Sequence, residues 1–493
     1  MALTKHNFKS WKQCQLRAWH QLHSPKLVQV PTVVDQYRWR VGLEVHGLAQ
    51  ELFPEGIKVE LEEGDFRQAV AQTEKLFDES DIKTIFEASF EVESCRLRCD
   101  ILRRQDTNSW TLIEIKDSTR VKESHLLDIW YQYHLLQKLE IDLTDVQVLY
   151  LNKNYVFDGN SLNLHELFTS ESVYEVIGQM ETELTEEFEE FIDVTQGETT
   201  PNVSPSKHCK HKDADKECEF FSHCTTDKPK FWIYRLPRIS EKKWKQLTDL
   251  GIEDISEIPE DFKLTPNQEI VRSTTVSRIP MLQDGLQEAL DSFEFPCYFI
   301  DFETSNPAIP KYAGTRPYQQ IPFQWSCHVL SEDGTQEHYE FLHDSNTDPQ
   351  KPLAESLIDL LSSQGSIIHY SPFEKKVLSE LSESLPEFSE RIEALKIRLI
   401  DLKKILSDHY YEADFLGSYS IKKVLPVLCP TLSYDTLSIQ EGSEAAIQYM
   451  NMLKLDTANE ERVSIKEALL KYCKQDTLAM VEVWRKLKEI GSR

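Results

Sequence analysis

Residues 95–120, CRLRCDILRRQDTNSWTLIEIKDSTR, constrain the fold more than any other stretch. Two runs of alternating apolar and polar residues flank Asp106, Thr107, Asn108 and Ser109, which is the pattern of a β-hairpin. With the turn centred on Thr107, Asp100 and Glu114 stand seven residues to either side and face each other across the strands. Strand side chains alternate between faces, so Lys116 shares the face of Glu114 while Ile113 and Ile115 point into a core. Such a face suits phosphodiester hydrolysis. Its carboxylates can hold one or two Mg²⁺ or Mn²⁺ ions that polarise a phosphate and activate water, and the lysine can orient that water or stabilise developing charge. A solvated cross-strand ion pair is the blander alternative, and the apolar partner face with a helix next weighs against it.

A helix over roughly 122–139 follows and carries Gln132 in DIWYQYHLLQKL. Upstream, VGLEVHGLAQELFP offers Glu44 and His46, each as readily structural as metal-ligating.

A second acidic group lies far along the chain. CYFIDFETSNPAIP runs from a buried-looking strand into Asp301 and Glu303, which share one strand face. Paired like charges destabilise a strand unless a cation sits between them. IIHYSPFEKKVLSEL reads as a strand followed by a helix, with Glu374 at the junction. LLKYCKQDTLAMVEVWRKL is helical and puts Tyr472 and Asp476 four apart on one face.

These motifs resemble two nuclease groups. Asp100, the Glu114-x-Lys116 pair and Gln132 look like those of the RecB-like branch of PD-(D/E)XK nucleases, in which a helix residue near Glu44 and His46 supplies a further metal ligand. Many members pair the glutamine with a tyrosine four residues on, where this chain has Leu136. Asp301, Glu303, Glu374 and Asp476, with Tyr472 on the Asp476 helix, resemble the DEDDy exonucleases of the RNase H-like fold. Their carboxylates bind two metals, and their tyrosine helps to position the attacking water. The second motif's usual aspartate is Glu374 here. The whole chain resembles a family of bacterial proteins that join the two domains. GTRPYQQIPFQWS and GSYSIKKVLP also look typical of it. Within the first, Tyr312, Tyr318, Phe323 and Trp325 could stack unpaired bases, although core packing is at least as good a reading of Phe323 and Trp325.

There are ten cysteines. In HCKHKDADKECEFFSHC, eight and five residues separate Cys209, Cys218 and Cys224, and spacing alone reads as zinc, completed by His208, His211 or His223. The resemblance implies instead a [4Fe–4S] cluster with Cys14 of WKQCQLRAWH as its first ligand, zinc being the alternative. Cys297, Cys327, Cys429 and Cys473 read as core thiols.

At 493 residues, two or three domains are expected. The expected α/β architecture is a restriction-endonuclease-like domain over 1–235 with the four-cysteine staple, a short helical linker over 236–291, and an RNase H-like domain over 292–493. LGIEDISEIP within the linker reads equally as a helix-hairpin unit or as plain linker. No stretch resembles a transmembrane span or a signal peptide, so the expected location is cytoplasmic, with no membrane partner. A net charge of −28 argues against non-specific coating of nucleic acid but not against a local basic channel. The expectation is a metal-dependent nuclease with two sites, acting on DNA single strands or ends in repair or defence. Its alternatives are an RNA-processing exonuclease and a nucleic-acid-binding protein with a retired site.

Overall fold

The computed structural model describes residues 2–28, 30–61, 65–106, 108–210 and 216–492. Thr107 and His211 lie outside them. The chain divides into two compact units, Met1–Asp227 with Pro307–Tyr318, and Lys228–Asn306 with Gln319–Arg493. Both are mixed α/β. Among the described residues no helix is long and apolar enough to cross a membrane.

The first unit holds a six-stranded sheet in chain order: β1 (Ile57–Lys58), β2 (Thr84–Val92), β3 (Cys95–Arg104), β4 (Ser109–Lys116), β5 (Asp142–Leu151) and β6 (Phe168–Ser172). β2, β3 and β4 form an antiparallel meander, and the helix Glu123–Lys138 carries the chain to β5, which runs parallel to β4. β4 is covered on both faces, with Trp110 and Leu112 in one core and Ile113 and Ile115 in another. Phe8, Trp130, Phe188 and Phe191 pack on the first side. Val41, Val45 and Ala49 of the helix Val33–Gln50 pack on the second. That helix starts at Thr32, whose Oγ1 accepts from Asp35 N at 3.2 Å while Asp35 Oδ2 accepts from Thr32 N at 3.0 Å, a reciprocal cap that satisfies two orphan donors. The N-terminus is strapped to β3: Leu3 N donates to Ser94 O and Arg96 N to Leu3 O, both at 2.8 Å. Tyr131 Oη donates to Leu3 O at 3.0 Å.

In the second unit, β7 (Met281–Leu282) pairs with β13 (Tyr410–Tyr411). Between them in the chain lie β8 (Cys297–Ser305), β9 (Ile321–Leu330), β10 (Gln336–Leu342), β11 (Ile367–His369) and β12 (Leu399–Asp401), which form one sheet in the order β10-β9-β8-β11-β12. β9 is antiparallel to both neighbours, and β11 is parallel to both of its own. Tyr298, Ile300 and Phe302 face an apolar core with Trp325, Leu353 and Leu378. The opposite face of β9 is polar although buried. Gln324 Nε2 donates to Leu469 O at 2.9 Å, and Ser326 Oγ pairs with Thr477 Oγ1 at 2.9 Å. Both partners belong to the long helix Asn459–Gly491.

Two segments depart from the expected boundaries. Residues 236–291 are packed into the second unit rather than left as a connector, because β7 pairs with β13 and Gln283 N donates to His409 O at 2.8 Å. Residues 307–318, expected in the C-terminal domain, belong to the first unit. There Ala308, Ile309 and Tyr318 join the core of Ile113 and Leu149, and Phe157 N donates to Thr315 O at 3.0 Å. Phe323 and Trp325 are core residues, Phe323 stacking on Tyr449 at 3.7 Å and Trp325 Nε1 donating to Ser356 Oγ at 3.0 Å. Cys297, Cys327 and Cys473 are buried thiols as expected, while Cys429 is half-buried because it follows the last turn of a surface helix.

Two glycines test the second sheet. Gly334, in the β9–β10 turn, has φ +88° and open space where a Cβ would stand; Gly365 has φ +87°, and a Cβ there would lie 2.1 Å from Pro296 O. Gly334→Ala is expected to cost about 1 kcal/mol, the left-handed penalty alone, and Gly365→Ala several times more, because backbone must move. Equal losses in chemical denaturation would show that the Gly365 contact does not constrain the fold.

Candidate active sites

In the first unit three neighbouring strands each carry a carboxylate at the same level. The β2/β3 register pairs Phe86 with Ile101 and Ala88 with Cys99, which sets Glu87 across from Asp100. The β3/β4 register pairs Ile101 with Ile113, which sets Asp100 across from Glu114. Ligand atoms of His46, Glu87 and Asp100 lie within 4.8 Å of one another. Glu87 has φ 58°, and a left-handed non-glycine residue inside a strand stores about 1–3 kcal/mol of strain of the kind that concentrates at functional sites. Asp100 Oδ2 accepts from Ile115 N at 2.8 Å and stands 3.9 Å from His46 Nε2. Glu44, the other helix residue expected as a ligand, is exposed and stands outside this group. Two residues along a helix turn a side chain by about 200°, so Glu44 and His46 cannot serve one site.

Glu114 is enclosed by donors. Lys5 Nζ and Lys116 Nζ donate to its Oε1 at 2.6 and 2.9 Å, and Gln132 Nε2 to its Oε2 at 2.7 Å. Lys116 also donates to Asp128 Oδ2 at 2.6 Å, and Lys9 to the same oxygen at 3.1 Å. Burial opposes ionisation of Glu114, but Lys116 and Lys5 outweigh it and hold its carboxyl well below the usual range. Asp100 lacks such a partner, so burial, aided by the charge of Glu114, raises it to about 6. The structure thus brings together Asp100, Glu114, Lys116, Gln132 and His46. Glu87, Lys5, Lys9 and Asp128 are additions to the sequence-derived set. Three of these had a signal, since Asp128 precedes Gln132 and Lys5 precedes Lys9 by four residues, a helix-face spacing.

The four cysteines converge. Cys218 N donates to Cys209 O at 2.6 Å. Burial, then the neighbouring Cys14 and Cys224 thiols, raises Cys209 to about 11, and burial raises Cys218 to about 12. Cys224 is raised by burial and then by Cys14. His208 Nδ1 bonds Ser206 Oγ at 2.6 Å, and the His223 ring packs edge-on against His20 at 5.3 Å.

The second unit assembles its acids around one cavity of about 520 Å³, lined by Asp301, Glu303, Glu374, Lys422, Tyr472 and Asp476 among others. Asp301 and Glu303 come from β8, opposite Ser326 and Gln324 of β9. The helix Pro372–Ser384 is capped by Ser371, whose Oγ accepts from Phe373 N at 3.1 Å and donates to Glu374 Oε2 at 3.2 Å. Tyr472 and Asp476 share a face of the helix Asn459–Gly491. Tyr434 Oη donates to Asp476 Oδ1 at 2.6 Å, and Lys422 Nζ to Tyr472 Oη at 3.4 Å. Glu303 and Glu374 are buried, and Asp301 and Asp476 half-buried. Burial, then mutual repulsion with Asp476, raises both Asp301 and Glu303 well above the usual carboxylate range. Burial raises Asp476 to about 6 against the Tyr434 hydrogen bond and Lys422. Cys473 Sγ lies 3.7 Å from Asp301 Oδ2. Every residue expected here from the sequence lines the cavity, as does Lys422, while Tyr434 and Cys473 contact Asp476 and Asp301. Lys422 lies in the GSYSIKKVLP motif, which sequence reasoning singled out without a role.

Residues 298–420 match the family described as a domain of unknown function, DUF2779. The match includes Asp301, Glu303 and Glu374 and ends before the Tyr472–Asp476 helix. Over 209 residues the chain is 25% identical to the uncharacterized protein MG366 of Mycoplasma genitalium, an alignment covering 38% of this chain and 31% of that protein.

The raised acids make the metal-free protein pH-sensitive. Between the unfolded value near 3.8 and the folded value of about 6, native Asp476 keeps a proton that the unfolded chain has released. Stability is therefore lost as pH rises through that window. Asp476→Asn removes the loss while keeping an acceptor for Tyr434. In EDTA its stability relative to wild type is expected to climb between pH 4 and 6 by at most about 3 kcal/mol, and by less where water screens the group. A pH-independent difference in chemical denaturation would refute this.

Proposed function

We propose that this protein is a divalent-metal-dependent nuclease with two hydrolytic sites, acting on DNA, with single strands or ends preferred. The observation that carries the reading is the cavity of the second unit, where four carboxylates and a tyrosine converge. Such a set of hard oxygen donors suits Mg²⁺ or Mn²⁺. The order β10-β9-β8-β11-β12 with β9 antiparallel supports an RNase H-like unit of DEDDy type. In the first unit, the meander, crossover helix and parallel strand beneath Asp100, Glu114 and Lys116 support a PD-(D/E)XK unit.

Metal ions held by Asp301, Glu303, Glu374 and Asp476, and by His46, Glu87, Asp100 and Glu114, would polarise the phosphate and lower the pKa of water. The chain's own groups supply the rest. Tyr472, held by Lys422 and beside Asp476, is placed to orient a nucleophilic water. Burial opposes the charge on Lys116, but Glu114 and Asp128 outweigh it and its pKa is raised. It therefore acts as a fixed cation toward developing negative charge rather than as a proton acceptor. Gln132 restrains the second oxygen of Glu114.

A panel of labelled single- and double-stranded DNA and RNA, incubated with Mg²⁺ or Mn²⁺, tests this reading. Glu114→Gln is expected to lower one cleavage activity, and Asp301→Asn a separate one, each by about 100-fold or more. Absence of metal-dependent cleavage of every substrate would reject the nuclease assignment, and loss of both activities in either folded variant would reject independent sites.

For the thiols of Cys14, Cys209, Cys218 and Cys224 we infer a [4Fe–4S] cluster. What supports it is the all-thiolate donor set, which suits iron and sulfide, although zinc can also take four cysteines. Anaerobically purified protein is expected to be brown with about four iron atoms per chain, and Cys14→Ser to be colourless and less stable. Stoichiometric zinc without iron would overturn the assignment.

A further inference from the structure

The helix Val33–Gln50, which supplies His46, presents solvent with a face that packing does not explain. At about 100° per residue, Trp39 stands within about 20° of His46 around the axis and Leu43 within about 60°. Trp39 is 60% exposed and Leu43 74% exposed, while the helix buries Val41, Val45 and Ala49 on another side. Trp39 and Leu43, one turn apart, thus leave an exposed apolar stripe on the helix.

Two glycines flank this stripe. Glycine inside a helix weakens it relative to alanine, yet a Cβ built at Gly42 or Gly47 would meet nothing within 4 Å. Internal packing therefore requires neither glycine. The open space over both leaves room for a ligand to lie close along the helix. The stripe also leads to the carboxylate group, since His46 is half-buried and its Nε2 lies 3.9 Å from Asp100 Oδ2. Seven residues of helix separate Trp39 from His46, about 10 Å, the span of about three stacked bases. Arg38 and Arg40 are exposed beside Trp39, the Arg40 guanidinium lying 5.2 Å from the Tyr37 ring. Of the nearby acids, Asp35 is bonded to Lys216 at 3.4 Å and Glu44 is exposed to solvent.

We propose that this face is a stacking platform for an unpaired nucleic-acid strand, with a base on Trp39, the next against Leu43, and the backbone passing over Gly42 and Gly47 toward His46. The inference rests on reading the first site as a nuclease centre, and it names the substrate form which that site selects. A duplex keeps its base faces stacked internally and cannot use the platform, whereas an unpaired strand of any sequence can.

The test is fluorescence anisotropy of labelled oligodeoxythymidine, oligouridine and a DNA duplex with the full-length protein in EDTA, so that cleavage does not intervene. Trp39→Ala is expected to weaken single-strand binding by about 5- to 100-fold and to leave duplex binding unchanged. Trp39 emission should be quenched by the strand. Gly42→Ala and Gly47→Ala should raise the melting temperature yet weaken single-strand binding, a combination that a merely structural role would not produce. Comparison of the deoxythymidine and uridine oligomers reads which polymer the face prefers. Unchanged single-strand affinity in Trp39→Ala overturns the proposal. So does sedimentation showing a dimer that Trp39→Ala dissociates while strand binding is retained, which would assign the face to a second copy. Trp39-dependent binding without any metal-dependent cleavage would keep the platform and reject the nuclease reading; cleavage with Trp39-independent binding would do the reverse.

Discussion

Glu114 sits at the centre of the first sheet with no exposed surface, and it stays ionised because Lys5, Lys116 and Gln132 close on its two oxygens. An unpaired carboxylate at that depth would be protonated or would unfold the strand. The rest of the unit is arranged around meeting this demand. Lys5 reaches Glu114 from the helix Lys5–Gln13, so the chain's start is part of the site. That start is held by the Leu3 bridge to β3 and by Tyr131, with Phe8 and Trp11 packed beneath. The same helix runs into Cys14, so one short element serves both the carboxylates and the thiols.

The second unit meets a similar demand in the opposite way. Its four carboxylates line a cavity, and Lys422, which donates to Tyr472 Oη, offsets the shifts of Glu303 and Asp476 only in part. Asp301 and Glu303 consequently hold their protons far more tightly than ordinary carboxyls. Removing water from several like charges with little counter-charge is unfavourable. The polar seam of Gln324, Ser326 and Thr477 beneath the long helix fits the same picture. It anchors the Tyr472–Asp476 helix to β9 through directional bonds, which fix its rotation better than apolar contacts do.

Residues that act through local periodicity were legible in the sequence. Alternation along β4 put Glu114 and Lys116 on one face and Ile113 and Ile115 on the other, and counting from the turn placed Asp100 opposite Glu114 in the register that the sheet adopts. The same alternation put Asp301 with Glu303, and helical spacing put Tyr472 with Asp476. Helix periodicity also held the information that Glu44 and His46 point apart, but it could not say which of them faces the sheet.

What only the tertiary structure decided is which charges meet. Lys5 and Glu114 are 109 residues apart in the chain, and Tyr434 and Asp476 are 42 apart; no periodicity links such pairs. The left-handed backbone at Glu87, the placement of residues 307–318 in the first unit and the exposure of Trp39 likewise depend on how distant elements pack. Sequence by itself determined the elements and the face each acid occupies, because alternation and helical pitch are properties of neighbouring residues. The folded chain decided whether an acid finds a lysine, a cavity or open solvent, because the energy of a charge is set by what surrounds it in space.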